Sequence, residues 1–142
     1  MKSLTKFLQI PTENKQQMLD ITPAIRDAVR SFEIQDGILA IYTQHTTAAL
    51  LVSEPQAALI DDVQQFLDRV VDDRLPYKHN SPEFSDCDRK NAASHLRGLL
   101  LSHSVVLPVV EGQPALGQFE SVLFAELDGP RQRTLRIQVL GL

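Results

Sequence analysis

The last third of the chain limits most tightly the folds open to it. From Phe119 to Leu127, one parity carries Phe119, Ser121, Leu123, Ala125 and Leu127, and the other Glu120, Val122, Phe124 and Glu126. That is the two-residue period of a strand, whose successive side chains point to opposite faces. Asp128-Gly129-Pro130-Arg131 has turn chemistry, after which Leu135, Ile137 and Val139 alternate with Arg136 and Gln138. Two such strands across a short turn predict an antiparallel hairpin. A chain ending this way needs an antiparallel sheet and something to cover its apolar face.

The upstream sequence supplies both. Leu4 to Ile10 reads as a first strand ahead of Pro11, and Met18 to Ile21 as a second. Thr22-Pro23 opens a helix, with Thr22 as N-cap and Pro at the first helical position. Ile25, Ala28, Val29 and Phe32 then give it one apolar face. Ile38 to Thr43 reads as a buried strand. Ala48 to Ser53 is the next strand, or the same one resumed past a bulge. A second amphipathic helix runs from about Gln56 to Val71, with Leu59 or Ile60, Val63, Phe66, Leu67 and Val70 on its apolar side. Asp72 to Lys90 has no periodicity and reads as a long loop. Asn91 can cap a third helix through about Leu101, and Val105 to Val110 is a strand that tolerates Pro108 only at an edge or bulge. The expected fold class is α+β: an antiparallel-rich sheet with about three helices packed on one side, in a single domain of 142 residues.

Charge and hydropathy exclude several functions. A net charge of −4 and few aromatics argue against a nucleic-acid partner. No apolar run approaches the roughly 20 residues of a membrane-spanning helix, so no membrane partner is expected. Met1-Lys2-Ser3-Leu4 leads into polar sequence, which sets cytoplasmic as the expected location. Cys87, the one cysteine, stands among Glu83, Asp86 and Asp88 and is read as structural or incidental.

The residues that could carry chemistry are dispersed. His45 follows a buried strand, His79 lies in the long loop, and His95 sits one helical turn after Asn91. Three imidazoles could bind Zn²⁺ with an open fourth position, or act as general acid, base and phosphate ligands. Their spacing matches no compact zinc signature, and each could equally be structural or exposed. His103, at a helix end, is read as structural or merely exposed. Thr46 and Thr47 could offer hydroxyls to a phosphate or fix a turn. Glu54 could be a base or metal ligand, or a solvated acid at a helix start. Between Glu126 and Arg133, Arg131 and Arg133 present planar donor forks suited to phosphate, while Asp128 could pair with either to fix the turn.

Together these segments resemble a known family. His45-Thr46-Thr47-Ala48-Ala49-Leu50 with Glu54, Asn91 with Ala93-Ser94-His95-Leu96, Val106-Leu107-Pro108-Val109, and Glu126 through Asp128-Gly129-Pro130-Arg131 with Arg133 are similar to the YjbQ-like, or secondary thiamine-phosphate synthase, family. The resemblance implies a small α+β homotrimer with a histidine-rich pocket. It places His45, Glu54, His79 and His95 as catalytic candidates, and Thr46, Thr47, Asn91, Glu126, Asp128, Arg131 and Arg133 as substrate-binding ones. It allows a divalent metal, Zn²⁺ or Mg²⁺, on His45, His79 and His95. The family name implies joining an aminopyrimidine diphosphate to a thiazole phosphate with loss of diphosphate. Two stretches depart from the pattern: Gly117-Gln118-Phe119-Glu120 replaces Gly-Thr-Trp-Gln, and Ser102-His103-Ser104 replaces Gly-Pro-Ser.

The first expectation is therefore a protein that binds a phosphorylated small molecule, with thiamine-phosphate synthase-like transfer activity. The alternatives are a metal-dependent hydrolase built on the three histidines and a non-catalytic ligand-binding module.

Overall fold

The computed structural model describes residues 1–142. Eight strands and three helices follow in the order β1 (Lys2–Pro11), β2 (Gln17–Asp20), α1 (Thr22–Phe32), β3 (Gly37–Thr43), β4 (Ala48–Ser53), α2 (Ala57–Val70), α3 (Ala92–Leu100), β5 (Ser104–Val110), β6 (Gln113–Pro114), β7 (Ser121–Glu126) and β8 (Gln132–Gly141). The strands form two sheets, one in the order β1-β8-β3-β5-β6 and one in the order β2-β7-β4. Every pairing is antiparallel. The α+β class with three helices stands as the pattern predicts.

The hairpin does not form. β7 lies between β2 and β4, whereas β8 lies between β1 and β3 in the other sheet. The physical reason is burial: Val122 through Asp128 are all buried, so β7 needs cover on both faces and takes a central place. The turn predicted to join two paired strands instead carries the chain from one sheet to the other. Gly129 is required there, because a Cβ would stand 2.3 Å from the Asn14 carbonyl oxygen. Gln44 to Thr47 makes the same kind of crossing, since β3 and β4 also belong to different sheets.

The core is a cluster of 18 buried residues drawn from both sheets and α1, including Ile25, Leu39, Ile41, Leu50, Phe124, Leu135 and Ile137. The N-cap of α1 is Ile21, not Thr22. Asp20 Oδ1 accepts the Thr22 N–H at 3.0 Å, and the Thr22 hydroxyl accepts the Val122 N–H at 2.9 Å. Asp20 thus serves the helix start, while Thr22 ties the helix to β7. Pro108 is tolerated because its carbonyl, and with it its nitrogen, faces away from β3, accepting the Ala115 N–H at 2.9 Å. α2 buries only Leu67 fully, and Phe66 and Val70 stand 53% exposed. No helix is long and apolar enough to cross a membrane.

Candidate functional site

The two sheet crossings lie against each other. The Leu127 N–H donates to the Thr47 carbonyl at 3.1 Å, and Arg133 reaches the same carbonyl and the Thr47 hydroxyl at 3.2 and 3.0 Å. Arg133 also forms a two-point ion pair with Glu126, and both side chains are essentially inaccessible to solvent. The Thr12 hydroxyl donates to Glu126 at 2.7 Å and accepts the Arg131 N–H at 2.9 Å. Burial pushes the Glu126 carboxyl up, but hydrogen bonds from Arg133, Thr12 and the Asp128 N–H outweigh it and hold the group below its usual range. Glu126, Arg133 and Thr47 therefore form an internal girder rather than a surface that a substrate reaches.

His45 belongs to this girder. Its Nε2 accepts the Thr134 N–H at 3.1 Å. β3 ends opposite Leu135, so the imidazole takes the place of a backbone acceptor just beyond the strand end. An Nε2 lone pair engaged this way leaves the ring proton on Nδ1. Burial, then the charge of Arg133, lowers the His45 pKa against the opposing pull of Glu126.

A second group begins one turn of chain away, at Asp128. Its buried carboxylate accepts from Arg89 Nε at 2.8 Å and Asn91 Nδ2 at 2.9 Å, and it lies 3.7 Å from Arg131 and 3.9 Å from Lys15. Burial raises its pKa, but the bonds from Arg89 and Asn91 and the charges of Arg89 and Lys15 more than offset this, leaving it lowered. Because Asn91 gives its amide N–H to a carboxylate, its oxygen faces His79, 3.0 Å from Nε2. That nitrogen must then donate, and the lone pair of His79 rests on Nδ1.

His95 meets His79 edge to face, with ring centroids 4.9 Å apart at 83°. Burial and the neighbouring His79 lower the His95 pKa, while Asp128 opposes them. The two rings line a cavity of about 360 Å³ with Tyr77, Lys78, Ala92 and Leu96.

Local structure explains the placement. Asn91 occupies the N-cap position of α3, as expected, but makes no side-chain cap. Asn80 does so instead, its Oδ1 accepting the Ala92 N–H at 3.0 Å. Asn80 ends a single 3₁₀ turn, Lys78–Asn80, within the long loop. That cap pins the loop to α3 and leaves Asn91 free to bridge His79 and Asp128. Arg97, also in α3, is buried and pairs with Asp68 and Asp73 at 3.2 Å each while donating to the Val71 carbonyl at 2.9 Å. It fastens the other end of the loop.

The structure thus brings together His79, His95, Asn91, Asp128 and Arg131. It places His45 with Glu126, Arg133 and Thr47, and leaves Thr46 and Glu54 exposed and outside both groups. The three histidines do not form one cluster. No group of three or more His, Cys, Asp and Glu side chains within the chain could hold a metal ion. Thr12, Lys15, Asn80, Arg89 and Arg97 are absent from the sequence-derived set. Arg89 sits at the end of the long aperiodic loop, and nothing local announces a partner 39 residues away.

Fold and site together define a small antiparallel α+β protein with a pocket between its long loop and α3. A family model described as "UPF0047 protein YjbQ-like" matches residues 6–142, and the chain belongs to that family. A UPF0047 protein of Methanothermobacter thermautotrophicus is 36% identical over 99% of this chain and 94% of its own. UPF0047 protein YugU of Bacillus subtilis is 30% identical over 97% and 100%. Among solved structures, a YbjQ-like protein of unknown function from Sulfolobus solfataricus superposes with a TM-score of 0.91, at 28% identity over 99% of each chain. A hypothetical protein of Aeropyrum pernix gives 0.89 at 34% identity, over 98% of this chain and 99% of its own.

Proposed function

We propose that the chain binds a phosphorylated small molecule beside Asp128, with His79 and His95 at the reacting end of the pocket. The observation that carries this reading is the charge around one carboxylate. Arg89, Arg131 and Lys15 all lie within 3.9 Å of Asp128, which can neutralise only one of them. The surplus positive charge, with Arg131 and Arg89 still partly exposed, suits an anion. The cavity of about 360 Å³ lined by His79 and His95, which His79 and Asn91 link to Asp128, is in the range of small-ligand sites.

His79 supplies the chemistry. Its Nε2–H is anchored through Asn91 to Asp128, so its Nδ1 lone pair can take a proton and, once protonated, return it to a departing group. In the transfer implied by the secondary thiamine-phosphate synthase name, a departing diphosphate would meet Arg89 and Arg131, with His79 as acid. Mg²⁺ enters this reading as the escort of a diphosphate, not as an ion on three histidines. Self-association into a homotrimer, in the cytoplasm, belongs to the same proposal.

Thermal unfolding in pyrophosphate, inorganic phosphate and chloride tests it. The wild type is expected to gain melting temperature with pyrophosphate, less with phosphate, and to lose the gain at high salt. Arg89→Ala with Arg131→Ala should remove the gain while the circular dichroism spectrum is kept. An equal gain in that variant would refute the site.

A further inference from the structure

We propose that the phosphorylated ligand carries a small hydrocarbon body and that this body fills the cavity lined by His79 and His95, so that the site selects phosphate esters of apolar alcohols over phosphorylated sugars. The inference rests on the phosphate reading above and adds the class of molecule to which the phosphate belongs.

The first observation is how the cavity is walled. Ala92, His95 and Leu96 stand at i, i+3 and i+4 of α3 and so share one helix face. The remaining lining comes from Tyr77 and the single 3₁₀ turn that begins at Lys78 and contains His79. With about 360 Å³, the cavity lies at the lower end of the roughly 300–1,000 Å³ of small-ligand sites. A small body fits it.

The second observation is that the polar groups of this lining are largely engaged. The Tyr77 hydroxyl donates to the Asp72 carbonyl at 2.6 Å. Lys78 holds its ammonium 5.3 Å from the centre of the Phe84 ring, a side chain outside the cavity. The Tyr77 and Lys78 carbonyls accept the Asn80 and Ser81 N–H groups at 3.1 and 3.0 Å, and the Ala92 N–H donates to Asn80. His79 gives its Nε2–H to Asn91. The lining side chains therefore leave a ligand the Nδ1 lone pair of His79 and the ring of His95. Burial, then His79, lowers the His95 pKa, so that ring is neutral at pH 7 and needs no counter-ion.

This inventory decides between two kinds of body. A sugar brings several hydroxyls, each stripped of water on entry, and every one left without a partner weighs against binding. A hydrocarbon makes no such demand, and each methylene it removes from water is worth about fourfold in affinity.

The third observation joins the cavity to the cations. Asn91 bonds to His79 at 3.0 Å and to Asp128 at 2.9 Å, and the Asp128 charge acts on His95. In this arrangement the anion lies at Arg89 and Arg131, the ester oxygen meets His79, and the body rests between Tyr77 and Leu96.

Isothermal titration calorimetry decides the matter with inorganic phosphate, pyrophosphate, methyl, propyl and n-pentyl phosphate, and ribose 5-phosphate, which matches the pentyl ester in carbon number. Wild-type affinity is expected to rise along the alkyl series and to favour pentyl phosphate over ribose 5-phosphate by about tenfold or more. Leu96 is 36% exposed at the lip of the cavity, where a polar side chain leaves the fold intact. Leu96→Asn should flatten the alkyl series and keep the wild-type affinity for inorganic phosphate. A flat series in the wild type, or ribose 5-phosphate binding as tightly as the pentyl ester, would overturn the hydrocarbon body and leave the phosphate site standing. A rise that persists unchanged in Leu96→Asn would overturn its placement in this cavity. If no compound binds, pyrophosphate included, the phosphate reading falls and this inference falls with it.

Discussion

Glu126 and Arg133, seven residues apart, form a buried ion pair where β7 leaves one sheet and β8 enters the other. Removing one partner leaves an uncompensated charge in the interior, which typically costs about 3–5 kcal/mol. Arg133→Met is expected to lose stability on that scale in urea unfolding. Glu126→Leu combined with Arg133→Met should lose much less, because no charge is then stranded. Equal losses in the single and double variants would show that packing, not the charge pair, sets the stability of the crossing.

That pair also marks what the sequence could reveal. Alternation along Leu135 to Val139 and the helical spacing of Ile25, Ala28 and Val29 gave element types correctly, because each depends on neighbours within one element. The pairing of β7 with β2 and β4 depended on the burial of both its faces, a property of the assembled core. In the site, His79, Asn91, His95 and Asp128 were legible as residues with chemistry. His45 was not separable from them, because its partner is the backbone N–H of Thr134. Arg89 and Asn80 act over long loops, through contacts with no local signature.

The bridge from Asp128 through Asn91 fixes the His79 tautomer. Nitrogen chemical shifts of the neutral His79 ring should report the Nε2–H form. In Asn91→Ala the preference should weaken, with the secondary structure unaltered. A His79 that is Nδ1–H in the wild type would break the proposed role of that lone pair.

Acid should weaken the fold in two stages. Burial lowers His45 and His95 from 6.5, so below that value the unfolded chain takes up protons first and stability declines until the folded rings titrate. Asp128 and Glu126 are held ionised below their ordinary 3.8 and 4.5. Their contribution is complete above those values and is lost as pH falls through their lowered folded pKa. Urea midpoints from pH 8 to pH 3 should fall in both windows, with the upper fall absent from His45→Gln combined with His95→Gln. A midpoint that rises between pH 7 and 5 would contradict the burial of these rings.

The Asn80 cap should matter to α3 beyond its own loop. Asn80→Ala removes the acceptor for the Ala92 N–H, a change that typically costs about 1 kcal/mol. It should also raise amide exchange in the first turn of α3 and in Lys78–Asn80 together. Exchange that rises in only one of the two would mean that the loop and helix are not coupled through Asn80.

His45 and His79 can be told apart by a crossed experiment. Loss of the His45 ring leaves the Thr134 N–H without its acceptor, and an unmade hydrogen bond of this kind costs about 1–3 kcal/mol, toward the lower end where water can enter. His45→Ala should therefore be measurably less stable while keeping the pyrophosphate-induced rise in melting temperature. His79→Ala should show the reverse pattern, because its ring lines the cavity and anchors no strand. If His45→Ala keeps its stability and loses the pyrophosphate response, the two histidine groups act as one site, as they would if a second copy brought them together.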